Sequence, residues 1–111
     1  MDIENAKAQM RKGVLEFCIL SVLNQGEAYP SDILSELKKG RLIVVEGTLY
    51  PLLTRLKNDG LLNYRWEEST QGPPRKYYKL TENGKIFLGE LKKTWEDLAA
   101  AVNQTTQTVK S

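Results

Sequence analysis

Residues 46–60 read Glu46-Gly47-Thr48-Leu49-Tyr50-Pro51-Leu52-Leu53-Thr54-Arg55-Leu56-Lys57-Asn58-Asp59-Gly60. Leu49, Leu52, Leu53 and Leu56 stand at i, i+3, i+4 and i+7, so the segment predicts a helix with one leucine stripe to bury. The other side carries Thr48, Pro51, Thr54, Arg55 and Asn58, a small, basic, hydrogen-bonding face. Pro51 has no N–H to donate and suits only a first turn. The regular helix therefore starts close to Thr48 or opens with a distorted turn. Either way, backbone N–H groups at that end are free to meet an anion.

Upstream, Ile3 to Gln25 predicts one long helix ending at Gly26. Its apolar positions Val14, Leu15, Phe17, Cys18, Ile19, Leu20, Val22 and Leu23 cover more than one face. Such a helix must be covered on most sides. In a short chain the cover comes from the domain on one side and from a second copy on the other. Tyr29 to Lys39 predicts a short amphipathic helix, with Pro30 in its first turn, Ser31 as cap, Ile33, Leu34 and Leu37 inward, and Gly40 as its stop. Arg41 to Val45, rich in β-branched residues, predicts a brief strand or an extended connection.

Downstream, Leu61–Trp66 and Arg75–Leu80 are aromatic-rich runs joined by turn formers, which predicts a β-hairpin. Pro73 and Pro74 cannot both serve a ladder, so the loop is long and protruding. Tyr77 and Tyr78 alternate, one inward and one outward. Trp66 is expected to close the small core. Thr81 looks like the cap of a last helix, with Gly84 in a structural role near its start. Leu88, Leu91, Trp95, Leu98, Val102, Thr105 and Val109 then follow alternating spacings of three and four, a heptad seam that weakens toward Thr105. The tail beyond about Gln104 is expected to fray, with residues 109–111 disordered.

The chain of 111 residues is 41% hydrophobic and 27% charged, values of a single globular domain. It has no His and one Cys. The common general base, the usual metal ligand and any intrachain disulfide are therefore missing, and neither a nucleophile–base pair nor a Gly-rich phosphate loop is present. Catalytic residues, metal ligands and cofactors are accordingly none, and an enzyme is not expected. The first residues are charged and the apolar run behind them holds Glu16 and ends near Leu23. This is neither a signal peptide nor a span of about 20 apolar residues, so a cytoplasmic protein with no membrane partner is expected. Lys38 to Lys85 carries ten basic against five acidic residues, while the rest of the chain is net acidic. That asymmetry suggests one face made for a polyanion.

Helices followed by a basic hairpin, in this order, predict a mainly α fold with a small β-hairpin. This is a winged helix-turn-helix over 1–81 followed by a C-terminal dimerisation helix over 82–108. In that design the second helix of the helix-turn-helix enters the DNA major groove and the hairpin touches the flanking backbone or minor groove. A winged helix can also serve as a protein–protein interaction module without DNA binding, and that alternative stands beside the first.

The runs Gly47–Leu62 and Gly72–Gly84 strongly resemble the PadR family of bacterial transcriptional regulators, in its short subfamily with a single C-terminal helix. The resemblance extends over nearly the whole chain from about Gln9. It implies a homodimer, usually a repressor, whose last helix packs with the partner's first helix on a roughly palindromic double-stranded operator. It also implies small-molecule effectors, phenolic acids in some members and flat hydrophobic drugs in the multidrug-sensing ones. Tyr50, Pro51, Thr54, Arg55 and Lys57 match the recognition-helix motif and Arg75 and Lys76 the wing motif. These residues, with Thr48 and Gln71 beside them, are the expected DNA contacts. Arg can read guanine or grip phosphate, hydroxyls suit phosphate oxygens, and Lys supplies point charge. Tyr50 lies between the leucine stripe and the polar face, so a packing role is equally open to it. Val14, Phe17, Leu88, Leu91, Trp95, Leu98 and Val102 are the expected dimer interface. In the drug-sensing members a Trp on the last helix sandwiches planar ligands between protomers, so Trp95, with Phe17 and Leu91, is either plain interface packing or packing plus contact with a planar hydrophobic molecule.

Overall fold

A computed structural model of the chain describes residues 2–107. In order it contains α1 (Ile3–Lys12), α2 (Leu15–Asn24), α3 (Pro30–Lys39), α4 (Glu46–Asn58), an antiparallel hairpin of β1 (Leu62–Glu67) and β2 (Arg75–Leu80), and α5 (Glu82–Gln107). The expected class, mainly α with one small hairpin, is the observed one. The expected disordered tail at 109–111 lies outside the described residues.

The single N-terminal helix expected from Ile3 to Gln25 is two helices. Gly13 caps α1, its N–H donating to the Arg11 carbonyl, and α2 begins at Leu15. Glycine is a weak helix residue, and the polar segment before it buries no residue at all, so nothing holds the two pieces in line. Ser31 is not the cap of α3. Tyr29 holds that position, its N–H donating to the Asp32 carboxylate at 3.0 Å. Residues 42–45 form a connection without a strand, its last residue Val45 extended. The helix α4 starts at Glu46, two residues before Thr48, which moves Pro51 into its second turn and leaves the Gly47 carbonyl without the helical donor it would otherwise have.

One cluster forms the core. Ile19, Leu20 and Leu23 of α2, Ile33 and Leu37 of α3, Leu49, Leu53 and Leu56 of α4, Leu62, Tyr78 and Leu80 of the hairpin, and Leu88 of α5 are all buried in it. Leu52, the fourth leucine of the expected stripe, is only half-buried. Gly60, at φ +80, turns the chain from α4 into β1, a backbone conformation that glycine adopts without strain.

The hairpin pairs Leu62 with Leu80, Tyr64 with Tyr78 and Trp66 with Lys76 on its inner face. Tyr78 is inward and buried, and Tyr77 lies on the other face. Trp66 also points inward in register, yet it is 60% exposed. The expectation that it closes the core is wrong: the hairpin runs past the end of the core, and the Trp66 ring lies against Tyr64 and Lys76 with its rest open to solvent.

Thr81 caps α5 as expected. Its Oγ1 accepts from the Gly84 N–H at 3.0 Å and donates to the Gly60 carbonyl at 2.6 Å. Gly84 is buried against the Leu61 carbonyl, where a Cβ would collide with that oxygen and meet Leu80 Cδ2 at 3.3 Å. Beyond Leu88 the 26-residue helix leaves the core, and the described chain measures 63 × 32 × 22 Å as a result. None of its helices is long and apolar enough to cross a membrane.

Two outcomes follow from this packing. Gly84→Ala should lower unfolding free energy by about 2–3 kcal/mol, because the obstructing atom belongs to the backbone; a denaturant-midpoint measurement checks it. Burial, and then the neighbouring Tyr64 and Tyr50, hold the Tyr78 hydroxyl above its ordinary pKa. The fold favours the neutral phenol, so its contribution is fully present below about pH 10 and is lost as pH rises through the raised value. Denaturation series from neutral to alkaline pH should show a smaller alkaline loss in Tyr78→Phe than in the wild type.

Candidate nucleic-acid interface

With its leucines in the core, α4 leaves Thr48, Tyr50, Pro51, Thr54, Arg55 and Lys57 exposed. They divide among three directions. At about 100° per residue, Pro51, Thr54 and Asn58 lie opposite the stripe, Tyr50 and Lys57 on one flank, and Thr48 and Arg55 on the other. The first flank faces the hairpin, since the Lys57 ammonium sits 5.6 Å from the Tyr64 ring. The second faces α2, where Arg55 Nη2 lies 3.6 Å from Glu16 Oε1. That pair is largely exposed and weak, of the order of 0–1 kcal/mol, so it biases Arg55 without committing it.

Between the front of α4 and the hairpin lies a cleft of about 390 Å³ lined by Pro30, Ser31, Glu46, Tyr50, Trp66, Pro74, Arg75 and Lys76. It joins three residues expected at DNA, namely Tyr50, Arg75 and Lys76. Lys76 holds its ammonium 4.5 Å from the Tyr64 ring and 5.5 Å from the Trp66 ring. Arg75 lies on the opposite face of β2, its guanidinium 3.9 Å over the Tyr29 ring and donating to Ser31 Oγ at 2.8 Å. Gln71 is exposed in the hairpin loop, its backbone N–H donating to Ser69 Oγ.

The basic stretch from 38 to 85 is not one uniform positive face. Arg65 is held by Glu27 at 3.2 Å and by Glu67, and the Glu67 hydrogen bond is the main cause that lifts the guanidinium above its ordinary pKa. Lys39 and Lys85 face Glu36 and Glu82 in the same way. Among the described residues no carboxylate lies in salt-bridge range of Lys57, Arg75 or Lys76, although Glu46 also lines the cleft.

The residues expected at a dimer seam or ligand site lie elsewhere. Val14, Phe17, Leu91, Trp95 and Leu98 meet around a hollow of about 70 Å³ where α2 begins and α5 leaves the core. Small-molecule sites are usually about 300–1,000 Å³, so one chain by itself holds no pocket for a planar ligand there. Leu88 belongs to the chain's own core, and Val102 stands farther out along α5. Trp95 is 44% and Leu98 52% exposed. Burial raises the pKa of the Cys18 thiol, which therefore stays protonated and apolar in character near neutral pH.

The sequence model of the transcriptional regulator PadR-like family matches residues 19–90, from α2 into the first turns of α5. The chain belongs to this family. A PadR-like transcription factor from Bacteroides fragilis is 65% identical in a structural match covering 91% of this chain and 98% of that one, with a TM-score of 0.77. A PadR family regulator from Eggerthella lenta is 31% identical over 96% of this chain and 93% of that one, with a TM-score of 0.88. A transcriptional regulator from Mycobacterium tuberculosis is 31% identical over 85% of this chain and 87% of that relative. This PadR-like protein is thus a DNA-binding winged helix-turn-helix transcription regulator and not an enzyme, with α3 and α4 as the helix-turn-helix and β1–β2 as the wing.

In this PadR-like chain, sequence reasoning missed Trp66, Glu46 and Ser31 at the cleft, Tyr29 beneath Arg75, and Glu16 beside Arg55. Alternation from Leu62 through Tyr64 puts Trp66 on the inner face, but no local signal says how far the core extends beneath it. Glu16 and Arg55 are far apart in sequence and meet only in the tertiary structure. Trp66→Ala should cost less than about 1 kcal/mol in unfolding free energy, as for an exposed ring. A loss above about 3 kcal/mol would put that ring back among the core residues.

Proposed function

We propose that this regulator acts as a homodimeric repressor on a pseudo-palindromic operator, relieved by a planar hydrophobic small molecule. The observation that carries the DNA reading is the solvent-facing side of α4. It presents Pro51, Thr54 and Asn58, flanked by Tyr50 and Lys57 on one edge and Thr48 and Arg55 on the other, beside a cleft rimmed by Lys76. Only the major groove of B-form DNA is wide enough for such a helix, and there hydroxyls, amides and cations read base edges or grip phosphates. In this reading α4 enters the groove and the wing, with Gln71, Arg75 and Lys76, lies along the flanking backbone. The chain up to Thr81 is the DNA-binding unit, and α5 is the dimerisation helix. The protein works in the cytoplasm, where the chromosome is. The protein-only interaction module is not favoured, since the family is one of transcription regulators.

Pairing is supported by the exposed apolar row of Trp95, Leu98 and Val102 on α5, continuous with half-buried Phe17 and Val14. Such a row on a helix that stands away from its core calls for a partner. A partner's α5 laid there would enlarge the small hollow at Trp95 into a space between protomers, giving a planar ligand two walls. Two α4 helices must stand about 34–36 Å apart to reach successive major grooves, so a ligand that binds one protomer spacing better than another shifts DNA affinity.

Titration against fragments of its own promoter region tests the reading. With about 6–10 phosphate contacts per dimer, affinity should fall roughly 10³–10⁵-fold between 50 and 200 mM salt. Binding that is flat with salt overturns the groove arrangement. Leu98→Asp with Val102→Asp should sediment as a single chain and lose specific DNA binding while keeping the wild-type helical signal. In a Trp66→Phe background, planar aromatics should change Trp95 emission, and unchanged emission counts against an effector site at the seam.

A further inference from the structure

The wing makes contacts on its outer face that DNA binding by itself does not explain. Ala28, just before α3, exchanges two backbone hydrogen bonds with Tyr78 of β2, at 3.0 and 2.9 Å. Next to it the Tyr29 ring lies 4.6 Å from the Tyr77 ring, tilted by 37°. The Arg75 guanidinium caps Tyr29 at 3.9 Å and donates to Ser31 Oγ at 2.8 Å. At the other end Arg65 lies 4.7 Å from the Tyr77 ring and is anchored by Glu27 and Glu67. The contacts run cation, ring, ring, cation. They join both strands of the wing to the residues that open α3.

Resting on the DNA-binding reading above, we propose that Tyr29 and Arg75 are positioning residues. They form a latch that holds the loop end of the wing against α3 and so aims Lys76 and Trp66 at the DNA lying on α4. The backbone pairing of β1 with β2 fixes the hairpin internally but not its angle to the helices, and the loop that follows, residues 68–74, has no regular structure. Leu62, Tyr78 and Leu80 anchor only the base. Arg75 pairs with Glu67 in register at the far end of the ladder, so a contact made there has the longest lever on the wing's angle. Its guanidinium is planar and can lie flat on a phenol ring while one N–H points at a hydroxyl; a lysine ammonium is a compact point charge with no plane to stack, so it holds the ring less firmly. Arg75 and Lys76 are neighbours on the same strand and both line the cleft, Arg75 on the side of Ser31 and Lys76 beside Trp66, so a contact that fixes the first also fixes where the second stands. Arg75 therefore serves binding through the wing's posture, and its positive charge on the DNA side is secondary.

Tyr29→Phe, Tyr29→Leu, Arg75→Lys and the Tyr29→Leu/Arg75→Lys double variant test this in the full chain with two readouts. The first is amide hydrogen exchange without DNA. Tyr29→Leu and Arg75→Lys should speed exchange of the amides at 65–67 and 75–77 at least fivefold, leave α2 and α4 protected, and Tyr29→Phe should match the wild type. The second is affinity for a promoter fragment. Tyr29→Leu and Arg75→Lys should each weaken it about tenfold, and the double variant should lie within about threefold of either single one, since both break the same latch. Wild-type exchange in Tyr29→Leu overturns the latch whatever DNA does. Wild-type affinity in Arg75→Lys, or losses that multiply in the double variant, overturns the positioning role and makes Arg75 a direct charge contact. A wild-type chain that binds no DNA at all, with altered exchange in the variants, instead overturns the regulator's proposed DNA mode and the positioning role with it.

Discussion

The burial of one face of α4 is the constraint on which the rest of this structure depends. Leu49, Leu53 and Leu56 enter the same cluster as Ile19, Leu20 and Leu23 of α2, the base of the hairpin, and Leu88 of α5. Each such side chain contributes about 1.5–3 kcal/mol when it leaves water. Because a close-packed cluster tolerates little rotation of its members, the same leucines that stabilise the domain also fix which residues of α4 face outward. Thr54 and Asn58 point to solvent because the stripe opposite them cannot.

Local chemistry decides how the positive charges around that helix are used. Arg65 is bound by two carboxylates and Arg55 leans on Glu16, while Lys57 and Lys76 lie over aromatic rings that hold a cation without neutralising it. A count of basic residues cannot make this distinction. The positive character of the site comes from the few cations whose neighbours are rings and hydroxyls, and these gather where α4, the opening of α3 and the wing converge.

The helix α5 has two parts with different physical tasks. Its first turns, with Gly84 pressed on the Leu61 carbonyl and Leu88 in the core, pack into the same cluster as α2, α3, α4 and the hairpin. Its remainder carries an exposed apolar row that one chain cannot cover.

The amino-acid sequence determined most of the elements whose signal is local. The leucine stripe of α4, the alternation of the hairpin, the Thr81 cap and the helical spacing of α5 are all legible because period and capping depend on residues within one or two turns of one another. The motif pairs at 47–62 and 72–84 carried the family. Where a local rule competed with packing, the reading missed. Gly13 broke a helix whose periodicity looked continuous, Pro51 was accepted in a second turn, and Trp66 stood outside a core its alternation pointed toward. The tertiary structure alone decided that Glu16 meets Arg55, that Tyr29 lies under Arg75, and where the core stops beneath the wing. These contacts join residues distant in the chain, and their existence depends on the angles at which packed elements cross, which no periodicity records.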